Sequence, residues 1–276
     1  MIRLCARLAL TEAGAVVATA SRLGVWGVGL PLPSDRQAAT VLGERLRAAG
    51  IQLVEFGAPH NLATPDAVLQ GRAAAGLRAA LAVAAAAGAL AVVTGPGHAA
   101  PGRGEEARVP HPDNLSEAAL DRLAATCRQA LAGAPAGVRL LLEPAVLSPV
   151  SNLTRAAEAV RRVAHPAFGI AFSPAQLASL DNFYDNDSYL RRAVQQLGPA
   201  IGAVHARDVL LHPDGFSYRL SEEPVGRGGL DYAALLDALR AVEGDVPVVV
   251  EHAGEAAVAQ GLDHLRQICA QRGIRA

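Results

Sequence analysis

Four short apolar runs each meet polar chemistry only at the C-terminal end. Residues 138–144 (VRLLLEP) end at Glu143, 169–174 (GIAFSP) at Ser173, 201–208 (IGAVHARD) at His205, and 246–252 (VPVVVEH) at Glu251. Two carboxylates and one imidazole brought together can hold a divalent metal and handle protons. Ser173 is the discordant member, because a neutral hydroxyl is a poor ligand beside a carboxylate. Apolar runs of this kind are strands buried on both faces, as in a parallel sheet covered by helices. In a closed parallel barrel the C-terminal strand ends converge on one mouth, where active sites lie.

The elements that would position these residues follow one rhythm. Strand-like and helical segments alternate with a period of roughly 30 residues, which is the signal for a parallel α/β fold. Strands are expected over 2–10, 25–30, 51–56 and 90–94, and then ending at 143, 173, 205 and 251. Helices are expected over 11–23, 36–49, 66–87, from 116, over 152–164, 184–197 and 232–242, and finally to about 271. The loop of residues 99–114 is long enough for substrate contacts or a lid, and a second loop runs from the seventh strand through Gly229. About eight βα units predict a (β/α)8 TIM barrel spanning 1–276 as one domain. An open doubly wound sheet is the alternative, but no Gly-x-Gly-x-x-Gly turn follows the first strand.

Composition narrows the function classes. The 276 residues are 51% hydrophobic and 18% charged, with a net charge of −1, so no global attraction to nucleic acid or an anionic membrane is expected. All 25 basic residues are Arg, which rules out Schiff-base chemistry on a lysine. Cys5, Cys127 and Cys269 have neither metal spacing nor a disulfide pattern and are read as buried core thiols of a cytoplasmic protein. No export signal is evident at the N-terminus. The apolar stretch over residues 77–93 is broken by Gly88 and reads as a helix running into a strand, not a membrane span.

Taken in order, LLLEP at Glu143, VHARDV at His205 and Asp208, GRGGLDYAALLDAL at 226–239 and VVVEHAG at Glu251 resemble the xylose-isomerase-like TIM barrels. That group holds sugar-phosphate isomerases and epimerases and the family 2 AP endonucleases. The four motifs span about half the chain, and the βα rhythm covers all of it. The resemblance implies a divalent metal held by Glu143, the residue at 173, His205 and Glu251. Mn²⁺ is expected first, with Mg²⁺, Co²⁺ or Zn²⁺ as alternatives. It also implies that Glu143 and Glu251 lie on opposite faces of a small carbohydrate-like substrate. One would remove a proton and the other return it, in epimerisation or an aldose–ketose shift.

Where the family usually has Asp-x-x-His, this chain has Ser173-Pro174-Ala175-Gln176. Its second strand, Val28-Gly29-Leu30, lacks the acidic residue that many relatives carry. Whether the metal is kept is therefore open: the site is weakened, rebuilt or gone. Gln176, Arg207, Asp208, His98, His60 and Arg227 are the candidate substrate-binding residues, and Asp208 has the alternative of capping its loop or orienting Arg207. In the endonuclease branch Gly57 would stand at a metal ligand and Thr94 near another, so DNA repair is not expected. The other expectations are a keto-inositol or polyol dehydratase using the same enolisation, or a metal-depleted, non-catalytic sugar-binding relative. The resemblance allows a homodimer, and the sequence leaves the oligomeric state open.

Overall fold

The computed structural model describes residues 1–103, 109–215 and 217–276. Among them, eight parallel strands close into a barrel. They are β1 (Ile2–Arg7), β2 (Gly27–Pro31), β3 (Gln52–Gly57), β4 (Ala91–Thr94), β5 (Arg139–Leu142), β6 (Phe168–Phe172), β7 (Ile201–Ala206) and β10 (Val246–Val250). Each pairs with its sequence neighbours, and β1 closes the ring against β10, with Ile2 opposite Val246 and Ala6 opposite Val250. The helices between them are α1 (Ala13–Leu23), α2 (Arg36–Ala48), α3 (Ala67–Ala87), α4 (Glu117–Leu131), α5 (Leu153–Val163), α6 (Leu180–Phe183), α7 (Asn186–Leu197), α8 (Tyr232–Leu239) and α9 (Glu255–Arg272).

Local chemistry sets the helix ends. The side chains of Glu12, Asp35, Asp66, Ser116, Asn152 and Asp231 accept hydrogen bonds from first-turn N–H groups of α1 to α5 and α8, supplying partners the helix itself lacks. Gly24, Gly88 and Gly273 close α1, α3 and α9 in the left-handed conformation.

Strand alternation divides the core into two shells. Leu30, Phe56, Val92, Leu140, Ile170, Phe172, Val204 and Val248 face the helices in one large cluster. Cys5, Val54 and Val249 form one cluster inside the barrel, and Ala91, Val93, Leu141, Ala171 and Ala203 form another. Burial on both faces explains why these strands read as unbroken apolar runs. All three cysteines are buried and free. Among the described residues no helix is long and apolar enough to cross a membrane.

Two features depart from the sequence-based expectations. Residues beyond His205 do not run as a loop to Gly229: β8 (Asp208–Asp214) and β9 (Ser217–Glu223) form an antiparallel hairpin, with Asp208 opposite Glu223 and Asp214 opposite Ser217. Pro213-Asp214-Gly215 supplies the turn chemistry. The loop after β4 contains a 3₁₀ turn at Pro112–Leu115, and residues 104–108 of that loop lie outside the described ones.

Candidate active site

Three carboxylates and three nitrogen bases meet at the C-terminal end of the barrel. β7 carries His205 inward between Val204 and Ala206, which face the helices. Glu143 and Glu251 stand one residue past β5 and β10, and Arg207 one residue past β7. Arg7 ends β1, on the same inward alternation as Cys5. Glu55 arrives by a different route. The β2–β3 register passes from Val28 opposite Leu53 to Gly29 opposite Glu55, so Val54 is an extra residue in β3. Leu90 N–H lies 3.3 Å from the Leu53 carbonyl and 3.1 Å from that of Val54, as a local bulge requires. Strict alternation would send Glu55 outward with Leu53. The bulge turns it into the barrel beside Val54 instead, re-aiming one side chain as bulges near active sites do.

His205 is the hub. Its Nε2 lies 3.0 Å from Glu55 Oε1, and its Nδ1 lies 3.1 Å from Glu143 Oε1 and 3.5 Å from Glu251 Oε1. A carboxylate only accepts hydrogen bonds, so satisfying both ring nitrogens requires the imidazolium form. Burial alone would drive that charge off. The carboxylates of Glu251, Glu55 and Glu143 outweigh it and hold the His205 pKa well above its ordinary 6.5.

Two arginines complete the network. Arg7 donates through Nε to Glu251 and through Nη2 to Glu55. Arg207 pairs with Glu251, reaches Glu143 Oε1 at 3.8 Å, and reaches Glu222 of the hairpin at 3.5 Å. Burial raises the Glu251 pKa, but His205, Arg7 and Arg207 reverse the effect and hold it well below the usual carboxylate range. Glu143 is shifted the same way: burial opposes, and the nearby His205 charge prevails. Glu143 is the less restrained of the pair, with 19% of its side chain exposed against 5% for Glu251. It is therefore the better placed to meet a substrate.

Two adjoining hollows of about 420 and 200 Å³ open onto this network, and both are lined by Arg7, Gly57, Pro59, Arg207 and Glu251. Glu143 and Thr94 line the smaller, Glu222 and His252 the larger. A bigger hollow of about 700 Å³ lies between α7 and α8. It touches Gly198 and Pro199 just before β7, and Glu243 near the start of β10. That is the opposite end of the barrel, and none of its lining residues belongs to the ionised cluster.

The sequence-predicted residues divide accordingly. Glu143, His205, Glu251 and Arg207 come together at the mouth. Ser173 is fully buried just past β6, and its Oγ has no hydrogen-bond partner among the described residues. Gln176 lies in the short turn that follows, 8% exposed, its carbonyl accepting from Val146 N–H.

Asp208 is bonded to its own loop. Its carboxylate accepts from the N–H groups of Val209, Gly226 and Leu230 at 2.9, 3.0 and 3.0 Å and so fixes the glycine-rich loop before α8. This is the capping alternative the sequence offered. Asp208→Ala is expected to leave three donors unmatched, two of them buried, and to cost about 3 kcal/mol, measurable as a lower urea midpoint.

The remaining candidates stand away from the mouth hollows. His98 is buried and joined to Asn61, whose amide contacts its ring at 3.1 Å and its backbone N–H at 2.9 Å. The His60 ring packs over α3 at Gly76. Arg227 is bonded to Gln260 of α9. Sequence reasoning missed Glu55 and Arg7. The available signals were an isolated Glu inside LVEFG and the Arg3-Cys5-Arg7 alternation of β1.

The donor set also bears on the implied metal. One ligand atom each from Glu55, His205 and Glu251 lies within 4.8 Å of the others, close enough to share an ion. These atoms are already engaged, Glu55 and Glu251 by Arg7, Glu251 also by Arg207, and His205 by carboxylates on both ring nitrogens. The position where the resemblance implies an anionic fourth ligand is the neutral Ser173. As arranged, the set does not fit a divalent cation.

A closed parallel barrel with an acid–base cluster at its C-terminal mouth defines the class. Residues 17–268 match the family described as xylose isomerase-like TIM barrel, and the chain belongs to it. No curated protein matches the sequence at a significant level. Among solved structures, the chain is similar to 3-keto-D-glucoside 4-epimerase, YcjR, from E. coli (16% identity, TM-score 0.73), over 97% of this chain and 100% of that one. It is similar to a xylose isomerase domain protein from Alicyclobacillus acidocaldarius (18%, 0.72; 98% and 99% covered). It is also similar to endonuclease IV from Thermus thermophilus (17%, 0.70; 98% and 99% covered). At such identities the likeness is one of fold.

Proposed function

We propose that this chain is an isomerase or epimerase of a small, uncharged hydroxy-carbonyl compound of the sugar or keto-inositol kind. The observation that carries this reading is the meeting of Glu143 and Glu251, from β5 and β10, on one nitrogen of His205, with Arg207 spanning both carboxylates. The less restrained Glu143 takes the proton from the carbon next to the substrate carbonyl, and the C–H electron pair becomes the enediolate. Arg207 stabilises the charge that develops on oxygen, where a fixed cation in a drier site acts most strongly. Returning a proton to the former carbonyl carbon, with the hydroxyl proton passing from one enediolate oxygen to the other, gives isomerisation; returning it to the original carbon on the opposite face gives epimerisation. The His205 imidazolium, held against Glu251, is the group at hand for that return, and the proton taken by Glu143 restores it. Both mouth arginines already face carboxylates, which favours an uncharged substrate over a phosphorylated one. The divalent ion implied by resemblance enters no step of this reading.

The test is incubation in D₂O with a panel of ketoses, keto-glycosides and keto-inositols, followed by mass and NMR analysis. One-for-one deuterium uptake next to a carbonyl is expected, and Glu143→Gln should lower it by about 10³-fold with little change in thermal midpoint. Loss of water from the product would move the reaction to the dehydratase alternative. No uptake with any compound would end the isomerase reading.

A further inference from the structure

We infer that Arg7 is the resident cation of this centre, occupying with Arg207 the position and electrostatic role that a divalent ion would otherwise take. Arg7 bridges Glu55 and Glu251, two of the three residues whose donor atoms are close enough to share an ion. Its side chain is 26% exposed and lines both mouth hollows, so it can offer N–H groups to a substrate oxygen while bonded behind.

The surrounding residues make room for this exchange. A Cβ at Gly57 would lie 3.2 Å from Arg7 Nη1, and one at Gly29 would lie 3.0 Å from Glu55 Oε1. Side chains at both positions would crowd the Arg7–Glu55 bridge. Glu55 itself reaches the barrel interior only through the β3 bulge. The position expected to carry a fourth, anionic ligand is Ser173, which adds no negative charge for an ion to neutralise. Bulge, glycines, serine and arginine thus describe one rebuilt site, where a planar guanidinium satisfies two carboxylates in fixed directions.

The metal-binding part of this inference stands apart from the proposed reaction; only the role of Arg7 on a substrate oxygen rests on it. The test uses the full chain, produced with manganese, cobalt and zinc in the medium and purified without chelators. Elemental analysis is followed by calorimetric titration with each metal chloride. The wild type is expected to carry less than about 0.1 ion per chain and to show no saturable binding up to about 1 mM. Arg7→Met, which removes the bonds of Arg7 to Glu55 and Glu251, should gain saturable binding at least about tenfold tighter than the wild type, and Arg7→Lys should not.

One ion per wild-type chain, bound at micromolar concentration and lost in Glu55→Gln, would overturn the inference. The wild-type titration decides even if Arg7→Met fails to fold. Deuterium exchange separates the two readings. Exchange that persists in excess EDTA supports Arg7 as the cation. Exchange that appears only on adding metal overturns it while leaving the isomerase reading intact. If no compound exchanges, the isomerase reading fails, and the titration still decides whether Arg7 holds the site.

Discussion

Glu251→Gln is expected to lower stability by about 3 kcal/mol and to reduce solvent–proton exchange by about 10³-fold or more. The substitution is nearly isosteric, so a cavity is not the cause. The carboxylate accepts from Arg7 and pairs with Arg207, and it lies 3.5 Å from His205 Nδ1. An amide leaves these cations facing Glu55 and Glu143 alone, in a place where only 5% of the residue 251 side chain meets water. Breaking a buried ion pair by removing one partner costs several kcal/mol because the other charge stays desolvated. Arg7 and Arg207 retain some exposure, 26% and 17%, which places the cost toward the lower end. For a chain of this size the thermal midpoint should fall by roughly 6–12 °C. Glu143→Gln, with only Arg207 at 3.8 Å and His205 to lose, should lose exchange comparably but less than about 1 kcal/mol of stability. Similar midpoints for the two variants would mean that Glu251 does not anchor the arginines.

Glu143, His205 and Glu251 were legible in the sequence because each is the first polar residue after an apolar run, and a parallel strand buried on both faces leaves one place for such a residue. The barrel was legible for the same reason: the run-and-helix rhythm is a direct consequence of double burial. Glu55 was hidden because its orientation depends on a bulge. Period-2 reasoning places residue 55 with Leu53 on the helix side, and no residue type announces that Val54 is extra. Arg7 was obscured by its position at the strand terminus, where an arginine is ordinarily solvent-exposed. Only the closing of β1 against β10 brings Arg7 to Glu251 across 244 positions of sequence. The hairpin had a local signal in Pro213-Asp214-Gly215, but βα rhythm favoured reading it as a connection. Ser173 and the second strand, Val28-Gly29-Leu30, marked a departure from the family pattern in the sequence itself.

Stability should be greatest between about pH 4.5 and pH 6.5 and fall on both sides, through two different groups. Glu251 is held at about 2 in the folded chain against an ordinary 4.5. Its depressed value contributes stability fully above pH 4.5, lost as pH falls toward 2. At about 1.4 kcal/mol per tenfold change, this contribution is on the order of 3 kcal/mol. Glu143, lowered for the same reason, steepens the acid limb. His205 acts with the opposite sign. Its raised value contributes stability fully below 6.5, lost as pH rises through its folded-state value. When the imidazolium loses its proton, one of the two ring nitrogens faces a carboxylate with no hydrogen to give, and three acidic side chains are left with two arginines. Thermal midpoints measured from pH 2 to 9 should trace both limbs. Glu251→Gln should flatten the acid limb, whereas His205→Gln should remove the alkaline one. An alkaline limb that survives in His205→Gln would place that titration outside the barrel mouth and remove the case for a protonated His205 at the hub.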